Sequence, residues 1–262
     1  MNLDLKNKKA LVCGSTQGIG KAAAIELALL GASVILLARN EDALKKATAD
    51  LDTTKGQKHD YIIADFSDPN TVKEKVSAYI KQHGAINILV NNTGGPASGP
   101  ITLANTDEFV KTFNNHLVCN HVLSQSCLEG MKSSGYGRII NVISTSVKQP
   151  LPNLGVSNTV RAAVANWSKT WANEVAQFGI TVNNVLPGAT NTQRLQGIME
   201  ANATKNAKPL NDVKDHMLKE IPMKRFAEAN EIANAIAFLA SPAAAYITGI
   251  NVPVDGGRTG NL

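Results

Sequence analysis

The sequence predicts an α/β fold: a single doubly wound domain in which a parallel sheet of about seven strands carries helices on both faces. Three observations predict it. Short continuous apolar runs such as Val34-Ile35-Leu36-Leu37 and Ile88-Leu89-Val90 recur along the chain, each followed by a stretch with helical character. Strands apolar on both sides belong to a parallel sheet covered on both faces, because a sheet with one wet face alternates apolar and polar positions. The first run ends in a glycine-rich turn, Gly14-Ser15-Thr16-Gln17-Gly18-Ile19-Gly20, and a strong helix pattern follows from Ala22. The 262 residues, 44% apolar and 18% charged, suffice for one large core.

The elements follow in order. The first strand ends at Cys13, and its helix runs through Ala22 to Ala28. Ala32 to Ala38 reads as a buried strand, Glu41 to Asp52 as a helix, and Asp60 to Ala64 as a strand. The next helix spans Asp68 to His83, with Asp68 as N-cap and Pro69 in the first turn. Ile86 to Val90 is a strand, followed by a loop and one long helix from about Asp107 to Met131. Gly137 to Ile143 is the fifth strand, and a helix runs from about Ser157 to Phe178. Ile180 to Leu186 is a strand, Glu228 to Leu239 a helix, and Ile250 to Val254 the last strand. In such a sheet, ligands sit at the carboxyl ends of the strands. The polar stretch from about Gln193 to Glu220 is too long for a plain connection and reads as a mobile substrate lid.

Composition excludes several function classes. The net charge of +5 is modest, no run of Lys or Arg forms a compact basic patch, and aromatic residues make up only 5%. Nucleic-acid binding is therefore not expected. No stretch approaches about 18 uninterrupted apolar residues, so no membrane span is expected, and Met1 to Lys9 lacks an apolar signal core. Cys13, Cys119 and Cys127 have no paired spacing and read as reduced core thiols, which points to the cytoplasm.

The glycine turn carries the chemistry. Glycines permit a tight turn and close approach to the main chain, and the helix that follows aims free N–H groups and its positive dipole end at the turn. An anionic phosphate would be held there without a charged side chain. A Walker A loop does not fit, since Ser15 stands where its first Gly belongs and Ala22 replaces its hydroxyl residue. The spacing G-x-x-x-G-x-G also differs from G-x-G-x-x-G. It resembles the TGxxxGIG motif of the short-chain dehydrogenase/reductase family, with Cys13 in place of the usual Thr. Asn91-Asn92-Thr93-Gly94 is similar to that family's NNAG motif, and Pro187-Gly188 through Thr192 to its PG motif. The resemblance runs from Lys9 to Gly257 and implies a single Rossmann-type dinucleotide-binding domain over 1–262, with the lid at about 193–220.

The second strand indicates which dinucleotide. It ends Leu37-Ala38-Arg39-Asn40, without the carboxylate that would hold the ribose 2′-hydroxyl of NAD. Arg39 stands where a guanidinium could meet a 2′-phosphate, so NADP(H) is expected over NAD(H). The resemblance places Asp65 at the adenine. It places Gly14, Ser15, Gln17, Gly18, Ile19 and Gly20 at the pyrophosphate, Asn92, Gly94, Pro187 and Gly188 around the nicotinamide half, and Thr192 where the family has a phosphate-binding Thr.

The catalytic positions depart from the family. Its Ser polarises a carbonyl, a Tyr about thirteen residues later delivers a proton, a Lys four further on lowers the Tyr pKa and holds ribose, and an Asn supports a water relay. Ser144 matches the Ser, but Ser157 stands at the Tyr position and Arg161 at the Lys position. His116 falls at the Asn position, although a slip of one residue would put Asn115 there. A Ser hydroxyl is a far weaker acid than a phenol, and an Arg does not relay protons. His116, with an ordinary pKa near 6.5, is a candidate acid or base, against the alternative that it only packs. Ser144, Ser157, Arg161 and His116 form the candidate catalytic set, with Arg161 also a candidate for ribose. Two functions compete. One is an NADP(H)-dependent oxidoreductase acting on a carbonyl, alcohol or activated double bond with atypical proton delivery. The other is a catalytically silent dinucleotide-binding sensor or scaffold. The resemblance also implies a homodimer or homotetramer paired through the long fourth and fifth helices, where Leu117, Val118, Cys119, Val122 and Leu123 form an apolar band.

Overall fold

The computed structural model describes residues 1–261. Its strands are β1 (Lys9–Cys13), β2 (Ser33–Ala38), β3 (Asp60–Ile63), β4 (Ile88–Asn91), β5 (Gly137–Val142), β6 (Ile180–Pro187) and β7 (Asn251–Val254). They form one sheet in the order β3-β2-β1-β4-β5-β6-β7, with every pair parallel. The chain leaves β1 toward β2 on one side and later enters β4 on the other. The carboxyl ends of β1 and β4 thus bound the crevice where the order reverses, the usual ligand position in such sheets.

The helices are α1 (Gly18–Leu29), α2 (Glu41–Ala49), α3 (Pro69–His83), α4 (Thr106–Phe113), α5 (Cys119–Ser134), α6 (Gly155–Val175), α7 (Gln193–Lys205), α8 (Leu210–Lys219) and α9 (Ala229–Ala240). Two cores lie on opposite faces of the sheet. Ala10 and Val12 of β1 pack with Ala24, Leu27 and Ile236 of α1 and α9, while Leu11 and Cys13 pack with Val76, Leu123 and Met131 of α3 and α5. This alternation follows from the two-residue period of a strand. All three cysteines are buried and free, as expected.

Three features differ from the expected elements. The long helix is interrupted by a π turn at Asn114–Val118 and continues to Ser134. The helix expected from Ser157 begins at Gly155, and residues 176–178 tighten into a 3₁₀ turn. The stretch taken as a lid folds into α7 and α8.

The parallel register also aligns four asparagines across four strands. Asn91, Asn141, Asn184 and Asn251 stand side by side. Asn91 Nδ2 donates to Asn141 Oδ1 at 2.9 Å, Asn141 Nδ2 to Asn184 Oδ1 at 3.0 Å, and Asn184 Nδ2 to Asn251 Oδ1 at 2.8 Å. Ser168 of α6 accepts a further bond from Asn141 at 3.2 Å. Apart from Asn91 Oδ1, the buried side-chain groups of the row are paired, which makes a polar row tolerable there.

Candidate active site

A cleft of about 1270 Å³ opens at the carboxyl ends of β1, β4, β5 and β6. One half is the glycine turn. Gly14 and Gly18 adopt φ of 57° and 55°, which disfavours any side chain there. A Cβ on Gly14 would lie 2.6 Å from the Asn92 carbonyl oxygen, and one on Gly20 would overlap the Gly14 carbonyl. The turn is therefore closed by main chain against main chain. Asn92 Nδ2 fastens it, donating to the carbonyls of Cys13 and Gly14 at 3.2 Å each. At the start of α1, the N-cap Gln17 gives no side-chain cap and the first turn holds no acid. Its N–H groups are left for an anion in the cleft, the setting in which helix N-termini hold phosphate.

Of the residues expected at a dinucleotide, Gly14, Gln17, Gly18 and Ile19 line the cleft. Ser15 does not reach it: the residue is fully buried and its Oγ accepts the Leu37 N–H at 3.1 Å, tying the turn to β2. Gly20 acts through its missing side chain, as above. Arg39 and Asp65 stand together on the cleft's far lip, 3.9 Å apart, with the Arg39 side chain 78% exposed. Hydrogen bonds from the Ser67 main chain and side chain hold the Asp65 carboxyl below its ordinary range. Asn92, Gly94, Pro187, Gly188 and Thr192 line the other half. Thr192 caps α7, its Oγ1 accepting the Leu195 N–H at 3.4 Å. Its Cγ2 lies 3.3 Å from where a Gly18 Cβ would begin, so the loop after β6 folds over the glycine turn.

Ser144, Ser157 and Arg161 all line the cleft. Ser144 follows β5 in an extended conformation, and its Oγ accepts the Ser146 N–H at 3.1 Å. The hydroxyl proton is left to donate into the cleft. Arg161 sits on α6, only 8% exposed, and its Nη1 donates to the carbonyls of Val142 and Ile143 at 2.8 and 3.0 Å. Burial, and then the neighbouring Arg194, push its pKa down to about 10, so it remains a cation at neutral pH.

His116 is placed by the π turn, 4% exposed and hydrogen-bonded to the Gly94 main chain. Its pKa lies well below the ordinary value, first from burial and then from the Arg161 charge, with Arg194 adding to the effect. It is neutral at pH 7. Asn115, the neighbouring candidate, also borders the cleft, and its side-chain amide faces the carbonyls of Phe66 and Lys111. The site also contains Arg194, which the sequence reading left in the polar lid. Its Nη2 donates to the Pro96 carbonyl at 2.5 Å and faces Gly95. The available signal was its position two residues after Thr192.

A family model described as "Enoyl-(Acyl carrier protein) reductase" matches residues 14–259. The 3-oxoacyl-[acyl-carrier-protein] reductase FabG of Pseudomonas aeruginosa is 34% identical over 258 residues, covering 97% of this chain and 98% of that protein. The chain belongs to the short-chain dehydrogenase/reductase family. Another relative, the NADPH-dependent reductase BacG of Bacillus subtilis, is 32% identical over 254 residues, covering 97% of this chain and 98% of that one. Among solved structures, the L-sorbose reductase of Gluconobacter frateurii, complexed with NADPH and L-sorbose, superposes with a TM-score of 0.92 at 31% identity, over all of both chains. Membership in the short-chain dehydrogenase/reductase family accounts for the seven-stranded parallel sheet and the cleft at its carboxyl ends. Among the described residues, no helix is long and apolar enough to cross a membrane.

Proposed function

We propose that the protein is an NADP(H)-dependent oxidoreductase that moves hydride between the nicotinamide and a carbonyl or alcohol carbon, or an activated double bond. The observation that carries this reading is the closed glycine turn, where a Cβ at Gly14 or Gly20 would meet main chain, opening onto an uncapped α1 N-terminus. These residues fit a pyrophosphate. The N–H groups around Gly14, Gly18 and Gly20 would hold it, Arg39 the 2′-phosphate and Asp65 the adenine. Asn92, Gly94, Pro187 and Gly188 would surround the nicotinamide half, and Thr192 would meet a phosphate. Exposed Arg39, paired only loosely with Asp65 at 3.9 Å, is free to turn toward a phosphate. The relatives named as NADPH-dependent or complexed with NADPH support the same choice.

When bound, the reduced coenzyme supplies the hydride; a carbonyl, NADPH and a proton give an alcohol and NADP⁺. This chain's residues supply orientation and charge. Ser144 donates its free hydroxyl hydrogen to the substrate oxygen, stabilising negative charge as it develops there. Arg161 adds a fixed positive charge beside it. The proton is not the Arg161 proton, since a guanidinium of pKa about 10 holds it tightly at neutral pH. Nor does His116 supply it as an imidazolium, because burial keeps the ring neutral. Ser157 stands at the position where the family's Tyr delivers a proton, and its hydroxyl is too weak an acid for that role. Proton delivery is therefore through water entering the open cleft, past Ser144 and Ser157. Lid movement by α7 and α8, assembly as a homodimer or homotetramer, and a cytoplasmic location suited to the three reduced cysteines belong to the same reading.

The test has two stages. NADPH fluorescence should change on titration with protein, and absence of any change overturns the reading. With a panel of carbonyl compounds, NADPH oxidation should appear and fall at least about tenfold in Ser144→Ala. The loss of Tyr and Lys at positions 157 and 161 favours the alternative, a silent dinucleotide-binding protein. That alternative requires tight NADPH binding without turnover of any compound.

A further inference from the structure

The chain holds two buried arginines. Arg138, at the amino end of β5, is turned into the fold: its Nε and Nη1 donate to the carbonyls of Ser241, Gly137 and Gly179, and its guanidinium lies over the Tyr136 ring. Arg161 is buried too, but at the cleft. Its Nη1 holds the Val142 and Ile143 carbonyls at the end of β5, while its Nη2 has no hydrogen-bond partner among the described residues and lies at the cleft wall beside Gly95.

Arg194 reaches the same place from α7. A Cβ begun on Gly95 would lie 3.3 Å from Arg194 Nη2 and 3.6 Å from Arg161 Nη2, so the two guanidinium groups close on one point. The missing side chain at Gly95 keeps the gap between them open. Neither arginine forms an ion pair among the described residues. The acids that line the cleft are engaged elsewhere, Asp65 with Arg39 and Glu220 with Arg258 and His216. Behind Gly94, the His116 ring adds a neutral polar group. Two convergent cations with no counter-charge repel each other, and burial, then the Arg194 charge, lower the Arg161 pKa. A bound anion offsets that repulsion.

We infer that Arg161 and Arg194 seat a carboxylate of the substrate at the Gly95 gap, so that the protein acts on an oxo acid, or on the corresponding hydroxy acid in reverse. This rests on the oxidoreductase reading for the reacting carbon and on geometry alone for the anion. Two guanidinium forks facing one gap suit a planar carboxylate, whose two oxygens each accept from one of them. Ser144, which also lines the cleft, is left to address the oxo group. The reaction is then an oxo acid, NADPH and a proton giving a hydroxy acid and NADP⁺.

Calorimetric titration of the NADPH-loaded protein with malonate, its neutral analogue malonamide and inorganic phosphate tests the seat. Malonate should bind at least about tenfold more tightly than malonamide and than phosphate. Arg194→Gln should weaken malonate about tenfold, Arg194→Lys should restore part of the loss, and both should bind NADPH within about twofold of the parent. Equal binding of malonate and malonamide, phosphate binding as tight as malonate, or malonate binding unchanged in Arg194→Gln would each overturn the proposal. So would a loss of NADPH affinity matching the loss of malonate, which would assign Arg194 to the coenzyme. Should Arg194→Gln fail to fold, the comparison of malonate with malonamide on the parent still decides. If NADPH itself does not bind, the oxidoreductase reading falls, and the same titration of the coenzyme-free protein judges the anion seat separately.

Discussion

Replacing one hydrogen by a methyl group should have opposite effects at two helical glycines, Gly20 and Gly197. Both lie within helices, α1 and α7, at negative φ, so Ala is conformationally acceptable at each and should gain up to about 1 kcal/mol in helix propensity. At Gly197 nothing lies within 4 Å of the new Cβ, and the residue is exposed. Gly197→Ala should therefore stabilise by about 1 kcal/mol, or roughly 2–4 °C in a chain of this size. At Gly20 the Cβ overlaps the Gly14 carbonyl oxygen and lies 2.8 Å from Gly14 C and Asn92 Nδ2. The first two of these are main-chain atoms and have no rotamer to yield. Overpacking of this kind costs about 1–3 kcal/mol, and rigid partners put it at the upper end. The net effect is a destabilisation of about 2 kcal/mol, a fall of roughly 4–8 °C. Because the turn must widen to accept the methyl, NADPH affinity should fall at least about tenfold as well. Thermal unfolding by circular dichroism and NADPH titration read both effects. A Gly20→Ala variant that melts at or above the parent would refute the claim that main-chain closure of this turn is what its glycines provide.

Other outcomes follow from single groups. The folded pKa of His116 is depressed, so below about pH 6.5 the unfolded chain binds a proton that the folded chain refuses. Stability is thus full above the unfolded pKa and falls as pH drops through it. His116→Gln should flatten that fall; equal pH slopes in denaturant titrations of parent and variant would contradict it. Arg39→Ala should weaken NADPH about tenfold or more and leave NADH within about twofold, and parallel losses for both coenzymes would count against a 2′-phosphate contact. Asn141→Ala should cost about 3 kcal/mol in urea unfolding, since it orphans Asn91 Nδ2 and Asn184 Oδ1 in the interior; a cost under about 1 kcal/mol would mean the amide row carries no stability.

The sheet was legible because its strands are apolar on both sides, and the glycine turn because main-chain closeness leaves only Gly possible at Gly14 and Gly20. The π turn was not. Asn114-Asn115-His116-Leu117-Val118 continues a helical pattern, and a π turn inserts its extra residue without a composition of its own. The turn nevertheless decides which of Asn115 and His116 faces Gly94. The segment after Thr192 read as a mobile lid because it is long and polar, and its helices went unseen although Thr192 caps one and Pro209 precedes the other. Arg194 was illegible for a related reason: a charge in a polar segment reads as solvated, and only the fold shows that it meets Arg161 at Gly95. The four strand asparagines became a group only once register brought them abreast.

That row also has a direction. Each amide nitrogen points the same way, from Asn91 toward Asn251, so the members are not chemically equivalent. Asn91 begins the row with its Oδ1 unpaired and buried, while Asn251 ends it on an exposed edge position, giving only an acceptor. Hydrolysis of a side-chain amide to an acid, the slow covalent ageing of asparagine, would accordingly be read differently along the row. At Asn251 an acid keeps the oxygen its neighbour needs and can face water. At Asn141 or Asn184 it deletes a donor, sets oxygen against oxygen and strands a charge in the interior. Asn251→Asp should therefore unfold close to the parent in urea and Asn141→Asp far below it, and a reversed order would show that the row lacks this polarity. The protein's vulnerability to this damage is thus concentrated in the middle of its sheet, behind the cleft and away from the solvent that drives the chemistry.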